Sequence, residues 1–376
     1  MFETFSEIAL QQYWWILVSV LGSVLVFLLF VQGGQTLIYQ LGKTDTTRSI
    51  IINTVGSKWE FTFTTLVTFG GAFFASFPLF YSTSFGGAYW VWIIILFAFI
   101  VQAVSYEYRS KPENFLGKRT FDGFLFANGL LSTILLGAAV STFFTGSHFI
   151  VDNQNHSHWT MATRGLEAAF NIQNLSLGLT VFFLSRVLAL LYFLNTITHE
   201  EIIIKIKKQL WFDAIPFVVF FLLFTGMLLL KDGFAVNPDT KEVFMQPYKY
   251  FINLVEMPVV ALLFLSGVVL VLLGIALPIV SAVKYGSRAI WFAGIGTFLT
   301  VFSLFLLAGF NNTSFYPSVA DLQSSLTISN SSSSHYTLTA MSYVSLFIPF
   351  VLAYIVYVWR AMTNKNAVNQ KDEHVY

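Results

Sequence analysis

Residues 13–39 read YWWILVSVLGSVLVFLLFVQGGQTLIY, a stretch without a charged side chain. A transmembrane helix needs about 20 predominantly apolar residues, so this stretch is long enough to cross a bilayer. It is too long for the apolar core of a secretory signal, and no basic segment precedes it. We therefore interpret it as the first membrane span of the chain and not as a cleaved leader.

The same apolar pattern recurs along the rest of the chain. Further runs lie near 61–83, 86–106, 121–146, 172–197, 211–230, 257–282, 288–310 and 339–361. Only Ser84–Gly87 separate the second run from the third, so eight spans is the alternative if one of these two lies in the membrane interface. The pattern predicts an all-α membrane protein of about nine transmembrane helices.

Basic residues are divided unevenly between the two sets of predicted loops. With the N-terminus outside, 15 of the 20 Lys and Arg fall on inner segments, 4 fall on outer segments, and Arg186 lies within a span. The inner segments are roughly 40–60, 107–120, 198–210, 283–288 and 362–376, and Arg360, at the inner end of the last span, is counted with them. Because cytoplasmic loops carry an excess of Lys and Arg, this count predicts an external N-terminus and a cytoplasmic C-terminus.

The composition limits the class of protein and the kinds of site. Charged residues make up 10% of the chain and hydrophobic residues 56%, whereas soluble domains have about 25% charged residues. The absence of cysteine excludes disulfides, thiolate metal sites and iron–sulfur clusters. A net charge of +1 argues against binding of nucleic acid. The polar outer loops, 147–171 and 311–338, lack the periodicity of an independent fold, so residues 1–376 are predicted to form one polytopic domain.

A haem-binding bundle would need a His or Met directed into its interior. The histidines all lie in predicted loops, tails or span ends: His148, His156, His158, His199, His335 and His374. Met227, Met257 and Met341 stand alone near span ends, where methionine usually serves packing. His156 and His158 could share a metal ion, but two loop histidines without a third ligand are more often solvated. The sequence predicts no haem, no metal and no catalytic residue in this chain.

Ionisable side chains in or beside the spans are the remaining candidates, because burial of charge in a membrane is costly. Arg186 lies fourteen residues into its span, about 21 Å at the rise of a helix. It is a candidate for a buried ion pair, and the alternative is snorkelling toward the inner face. Glu60 and Asp122 lie near the inner ends of the second and fourth spans. Each is either a cap that favours the helix dipole or a candidate for a proton path.

Motifs in the first and last thirds of the chain carry a resemblance to a known family. Those in the first third are Gly42-Lys43-Thr44-Asp45, Arg48, Ile52-Asn53-Thr54-Val55-Gly56, Trp59-Glu60, Gly70-Gly71-Ala72-Phe73-Phe74-Ala75-Ser76-Phe77-Pro78, Phe85-Gly86-Gly87 and Tyr108-Arg109-Ser110-Lys111. Those near the C-terminus are Ser325-Leu326-Thr327, Ser333-Ser334, Thr337-Leu338, Met341, Pro349 and Trp359. Together they resemble subunit II of the cytochrome bd quinol oxidases over essentially the whole chain, although 145–250 is similar in hydropathy only.

The resemblance implies both a fold and a role. These complexes oxidise a membrane quinol and reduce dioxygen to water, with b-type and d-type haems and the quinol site in subunit I. Subunit II would be a haem-free, non-catalytic partner in the bacterial inner membrane, built as two four-helix bundles (about 1–146 and 172–361) plus a peripheral helix. In some relatives it holds a structural quinone or lipid and part of a cytoplasmic proton path. A small single-span accessory subunit is a further expected partner.

One departure from the family concerns the proton path. Relatives often carry acidic residues at the end of the first span, where this chain reads Gln32-Gly33-Gly34-Gln35. Glu60 matches an acid on the family's proposed route, so the route would rest on Glu60 with water and Thr62 or Thr64. Two other hypotheses are a stand-alone secondary transporter, which would need a polar site at the membrane midplane, and a haem-binding subunit, which the histidine positions disfavour.

Overall fold

The computed structural model describes residues 2–280 and 288–362. In chain order its helices are α1 (Glu7–Leu28), α2 (Phe30–Thr36), α3 (Ile38–Leu41), α4 (Asp45–Gly56), α5 (Trp59–Ser76), α6 (Pro78–Tyr81), α7 (Tyr89–Tyr108), α8 (Lys118–Thr145), α9 (Ile172–Thr196), α10 (Glu200–Leu230), α11 (Lys249–Glu256), α12 (Pro258–Val280), α13 (Ala289–Gly309), α14 (Ile328–Ser331), α15 (His335–Ser345) and α16 (Ile348–Met362). Its strands are β1 (Phe149–Val151), β2 (Ser157–Trp159), β3 (Gly233–Val236) and β4 (Val243–Gln246). The predicted inner segments 283–288 and 362–376 lie outside the described residues, apart from Arg288 and Met362.

Most of the predicted spans are long apolar helices in the structure. Seven stretches among the described residues are long and apolar enough to cross a membrane: Glu7–Thr36, Tyr89–Tyr108, Lys118–Thr145, Ile172–Thr196, Glu200–Leu230, Pro258–Val280 and Ala289–Gly309. The pair α15 and α16, bent by 42°, counts as an eighth if it forms one span. Helix α5 has 18 residues but is less apolar, because it carries Glu60 and several threonines. The all-α membrane class is confirmed, with seven or eight candidate spans.

The first span is a broken helix, and its C-terminal part, α2, lies deep in the molecule. It begins at Glu7, before the predicted start, because Ser6 accepts a hydrogen bond from the Ala9 backbone N–H at 3.2 Å and caps the helix. Every residue of α2 is buried, and the helix packs against α8 and α9. Gly33 makes this approach possible, since a Cβ there would lie 2.1 Å from the Ser185 carbonyl oxygen.

Two groups of connections define the ends of the helical bundle. Residues 77–88, 146–171, 231–257 and 310–334 meet at one end, the N-terminal end, where the Ser147 N–H bonds the Pro317 carbonyl at 2.9 Å. Residues 42–58, 109–117 and 197–199 meet at the opposite end, the basic end, where Lys118 Nζ lies 3.1 Å from Asp45.

The sequence interpretation of two segments at the basic end was wrong. Residues 198–210 do not form a loop, because α10 begins at Glu200, well before the predicted start at 211. Ile202, Ile206 and Leu210 lie four residues apart and are fully buried. The stretch 200–210 is therefore an amphipathic part of α10 that packs into the bundle. Segment 40–60, predicted as a loop, contains α4.

The polar loops at the N-terminal end fold onto the helices. Segment 147–171 carries the β1–β2 hairpin, and Phe149 stacks on Tyr316 with ring centroids 5.3 Å apart. Phe315 contacts Trp15 of α1 at 4.5 Å, and both rings are fully buried. The Ser- and Asn-rich segment is therefore partly core, because its aromatic residues fill the end of the bundle while its hydroxyls bond the backbone.

The last helix is attached to the bundle at few points. Among the described residues of α16 none is buried. Trp359 contacts the bundle: its ring lies 4.9 Å from Lys58 Nζ, 5.7 Å from the Phe61 ring and 6.0 Å from the Phe30 ring. Aliphatic and aromatic side chains cover the rest of its surface, which is typical of a helix that faces lipid or another protein chain.

Candidate functional site

Arg186 lies in a buried ion pair between α9 and α10. Its Nε donates to Asp213 Oδ1 at 2.7 Å and its Nη2 to Asp213 Oδ2 at 3.2 Å, a bidentate geometry. The other guanidinium nitrogen donates to the Thr36 hydroxyl at 2.9 Å, and Gln209 donates to Asp213 at 3.1 Å. Both charged side chains are almost completely buried. The pair therefore joins α9 and α10 to the first span.

Asp122 lies in a second charged cluster, at the basic end. Its Oδ1 accepts from Arg109 Nε at 2.6 Å, and its Oδ2 lies 3.5 Å from Arg48 Nε. Asp122 and Arg109 are buried, whereas Asp45 at the edge of the cluster is half-exposed. Burial alone would raise the pKa of Asp45, but the hydrogen bond from Lys118 and the nearby guanidinium groups hold that pKa below its usual value. This cluster ties α4 to α7 and α8.

Glu60 occupies a different environment from Asp122. It lies in the first turn of α5, and its side chain is exposed, with no hydrogen bond or ion pair among the described residues. Thr62, two residues later, points inward and donates to the Leu28 carbonyl at 3.1 Å. The structure therefore does not bring Glu60 and Asp122 into one site.

A buried group of polar side chains lies between α2, α7 and α8 and was not predicted from the sequence. Gln32 Nε2 donates to Gln102 Oε1 at 3.1 Å, and Gln35 Nε2 donates to the Tyr106 hydroxyl at 3.0 Å. Asn128 of α8 is 1% exposed and precedes Gly129, at which a Cβ would lie 2.3 Å from the Gln32 carbonyl oxygen. We name these five polar residues the amide cluster. The signal for it was the presence of uncharged amides in otherwise apolar spans.

The amide cluster contains polar atoms that no described residue satisfies. They are Gln32 Oε1, Gln35 Oε1, Gln102 Nε2 and both side-chain polar atoms of Asn128. Buried polar atoms in proteins nearly always have a hydrogen-bond partner, which is ordered water where the protein offers none. The mixture of free donors and acceptors suits water, which both donates and accepts.

Three adjoining cavities run through the molecule. A cavity of about 230 Å³ at the N-terminal end is lined by polar groups that include Glu167 and Asn174. An apolar cavity of about 70 Å³ adjoins it, since Trp92 and Ala139 line both. A third, of about 100 Å³, continues from the second between α9, α10, α12 and α13 and is lined by the exposed Leu222. A polar mouth followed by an apolar interior fits a molecule with a polar head and an apolar tail.

The described histidines lie at the two ends of the bundle. His156 Nδ1 and His158 Nε2 approach the same Asp152 oxygen, at 3.4 and 3.5 Å, on the exposed β1–β2 hairpin. His199 occupies the N-cap position of α10 without a capping hydrogen bond from its side chain, and His335 lies 3.0 Å from the Phe5 carbonyl. Within residues 2–280 and 288–362 no group of three His, Cys, Asp or Glu has the arrangement of a metal site.

Comparison with known proteins agrees with the helical architecture and with the motifs. The family described as cytochrome bd terminal oxidase subunit II matches residues 10–362. The chain belongs to this family. The resemblance drawn from the first-third motifs is thereby confirmed, and a stand-alone transporter is not favoured. The chain is a subunit of a bd-type oxidase.

Two bacterial relatives and one solved structure are similar over nearly their whole length. The probable cytochrome oxidase subunit 2 of Haemophilus influenzae is 28% identical, with 96% of each chain covered. The cytochrome bd-I ubiquinol oxidase subunit 2 of Escherichia coli K12 is 27% identical, with 93% of each chain covered. The bd oxidase structure from Geobacillus thermodenitrificans has a TM-score of 0.62 and 14% identity and covers 94% of this chain and 98% of that one. At this identity the likeness supports the fold.

Proposed function

We propose that this chain is the haem-free subunit II of a quinol:dioxygen oxidoreductase. It would pair with a subunit I that holds the b-type and d-type haems and oxidises quinol while dioxygen is reduced to water. The family match over residues 10–362 is the observation that carries this proposal. The histidine positions support the haem-free part, since the described imidazoles lie at the bundle ends.

The proposed topology has nine spans in the bacterial inner membrane, with an external N-terminus and a cytoplasmic C-terminus. The basic end would face the cytoplasm, in keeping with the excess of Lys and Arg on its segments. Helix α5 would be a span as well, because it packs along α1 between the two ends. The first four-helix bundle would comprise α1 with α2, α5, α7 and α8, and the second would comprise α9, α10, α12 and α13. The loosely attached α16 would be the peripheral helix.

The adjoining cavities are proposed to hold a structural quinone or lipid. The polar head would lie near Glu167 and Asn174, and the apolar tail would pass Trp92 toward Leu222. Extraction of the purified complex should yield one such molecule that the variant Ala139→Trp loses, because Ala139 lines two of the cavities. The exposed Gly71→Trp is the matched control.

For the proton path, we propose a role for Glu60 and the amide cluster, with Asp122 as a structural clamp. Asp122 is hydrogen-bonded to Arg109 through Oδ1 and ion-paired with Arg48 at 3.5 Å through Oδ2, and these two guanidinium groups account for its burial without a transfer role. Glu60 has no such partner among the described residues, and bound water in the amide cluster would continue a polar route that lacks the acids of the family.

Deletion of this chain tests the proposal as a whole. A complex tagged on this chain should co-purify with a haem-bearing subunit and show its absorption spectrum, and deletion should abolish haem assembly in that partner. Full haem content and turnover in a complex that lacks this chain would overturn the role as partner. A Soret band from the isolated chain would overturn its haem-free character.

A further inference from the structure

The connection between α7 and α8, residues 109–117, is a short loop fastened by its own hydrogen bonds. The Asn114 amide nitrogen donates to the Arg109 carbonyl at 3.0 Å, and the Gly117 N–H donates to Asn114 Oδ1 at 2.8 Å. Gly117 adopts a φ of 78°, which suits glycine and turns the chain into α8. Arg109 itself is fixed by Asp122, so the loop has a defined shape.

This fixed loop displays apolar side chains. Phe115 is 92% exposed and Leu116 is 44% exposed. Tyr108, at the end of α7, is also exposed, and so are Val104 and Phe124 farther along the two helices. Phe115 lies seven residues after α7 ends and three before α8 begins. The exposed apolar surface therefore continues from two membrane spans onto the loop that joins them.

Basic side chains flank the apolar tip. Lys111 and Lys118 are about half-exposed, and Arg119 is exposed beside them. Lys111 is paired with Glu107 at 3.0 Å and Lys118 with Asp45 at 3.1 Å. Both pairs are about half-exposed and therefore weak, so the two ammonium groups remain available to lipid phosphate. An aromatic ring surrounded by lysine and arginine is typical of a segment that lies in the headgroup layer, with the ring at the acyl boundary and the cations near lipid phosphates.

We infer that the loop 109–117 is a membrane-interface anchor in which Phe115 and Leu116 enter the bilayer surface and Lys111, Lys118 and Arg119 contact lipid phosphate. The anchor fixes the depth of α7 and α8 in the membrane. Its occupant is phospholipid. Coverage of Phe115 by another protein subunit is the alternative that the experiment must separate.

The absence of cysteine in this chain makes the test direct. A spin label on Phe115→Cys, in the complete complex in lipid nanodiscs, reports access to oxygen, which is enriched in lipid, and to a soluble nickel chelate. The unsubstituted complex gives the background from the partner subunit, and Glu113→Cys is the control on the same loop. The label at 115 should favour oxygen, and the label at 113 should favour nickel.

Other outcomes overturn the inference. Low access to both reagents at 115 would mean that a protein surface covers the ring, and a nickel access equal to that at 113 would mean that water surrounds it. Phe115→Trp keeps an aromatic ring and provides an independent reading. Its added fluorescence should be quenched by brominated lipid and not by iodide, and the reverse result would contradict a lipid contact.

Discussion

The buried pair of Arg186 and Asp213 permits a quantitative test. In Arg186→Met, Asp213 loses its bonds of 2.7 and 3.2 Å and keeps only Gln209. Two charge-assisted bonds at about 1.5–3 kcal/mol each predict a loss of about 3–6 kcal/mol, in line with the 3–5 kcal/mol typical of an orphaned buried charge. Asp213→Leu should cost about as much, since it leaves a guanidinium without a counterion.

The double variant Arg186→Met/Asp213→Leu separates charge pairing from packing. Because it removes both charges, its stability should return to within about 1–2 kcal/mol of the unsubstituted chain. Detergent-titration unfolding of the purified complex in mixed micelles measures all four proteins of the cycle. Glu201→Gln, which breaks the exposed pair with Lys205, is the control and should change nothing measurable. Additive losses in the double variant would refute the interpretation as a coupled pair.

Three further outcomes are expected. Glu60→Gln should slow oxygen consumption without altering the haem spectrum, and unchanged turnover across the neutral pH range would leave Glu60 a helix cap. Gly33→Val should prevent assembly, because the added Cβ would lie 2.1 Å from the Ser185 carbonyl oxygen. The control Gly71→Ala should assemble normally, since a Cβ there meets nothing within 4 Å. Equal yields of assembled complex from the two variants would contradict the close packing at Gly33. The pKa of Asp45 is lowered in the folded state, so its stabilisation is present above its unfolded pKa. The stability difference between the unsubstituted chain and Asp45→Asn should therefore shrink as pH falls through the folded pKa, and a difference independent of pH would contradict it.

Hydropathy and motifs predicted the class and the family because both depend on local composition. Long uncharged runs identify membrane-spanning helices, and α9 and α13 begin and end within one residue of the predicted limits. The first span, Glu7–Thr36, begins six residues before its predicted start and ends three before its predicted end. The start of α10 was not predicted, because Lys205, Lys207 and Lys208 lower the hydropathy of that stretch. Ile202, Ile206 and Leu210 form a buried stripe there that only helical periodicity could have indicated.

The partners of buried polar groups were less predictable. Arg186 was singled out as an ion-pair candidate, but its acid, Asp213, lies 27 residues away on the next helix. A lone carboxylate in the apolar run 211–230 was the available signal. The amide cluster unites three helices. Gln32 and Gln35 are three residues apart on α2, and Gln102 and Tyr106 are four apart on α7, but no spacing relates one helix to another. The sequence therefore indicates that such amides are unusual but not that the three helices meet there.

The two buried arginines, Arg186 and Arg109, make similar contacts, and these contacts bear on the proton path. Each bonds an aspartate of the following helix, and each also reaches the segment from α2 to α4: Arg186 bonds Thr36 of α2, and Arg109 bonds Ser49 of α4 at 3.1 Å. Both aspartates are thereby committed to holding that segment in place, since a carboxylate released from such a pair would leave a buried cation. Glu60 forms no comparable ion pair among the described residues. Because a relay acid must gain and lose a proton without unfolding its surroundings, Glu60 is the acid whose neutralisation should alter turnover, and neutralising Asp122 should instead alter assembly.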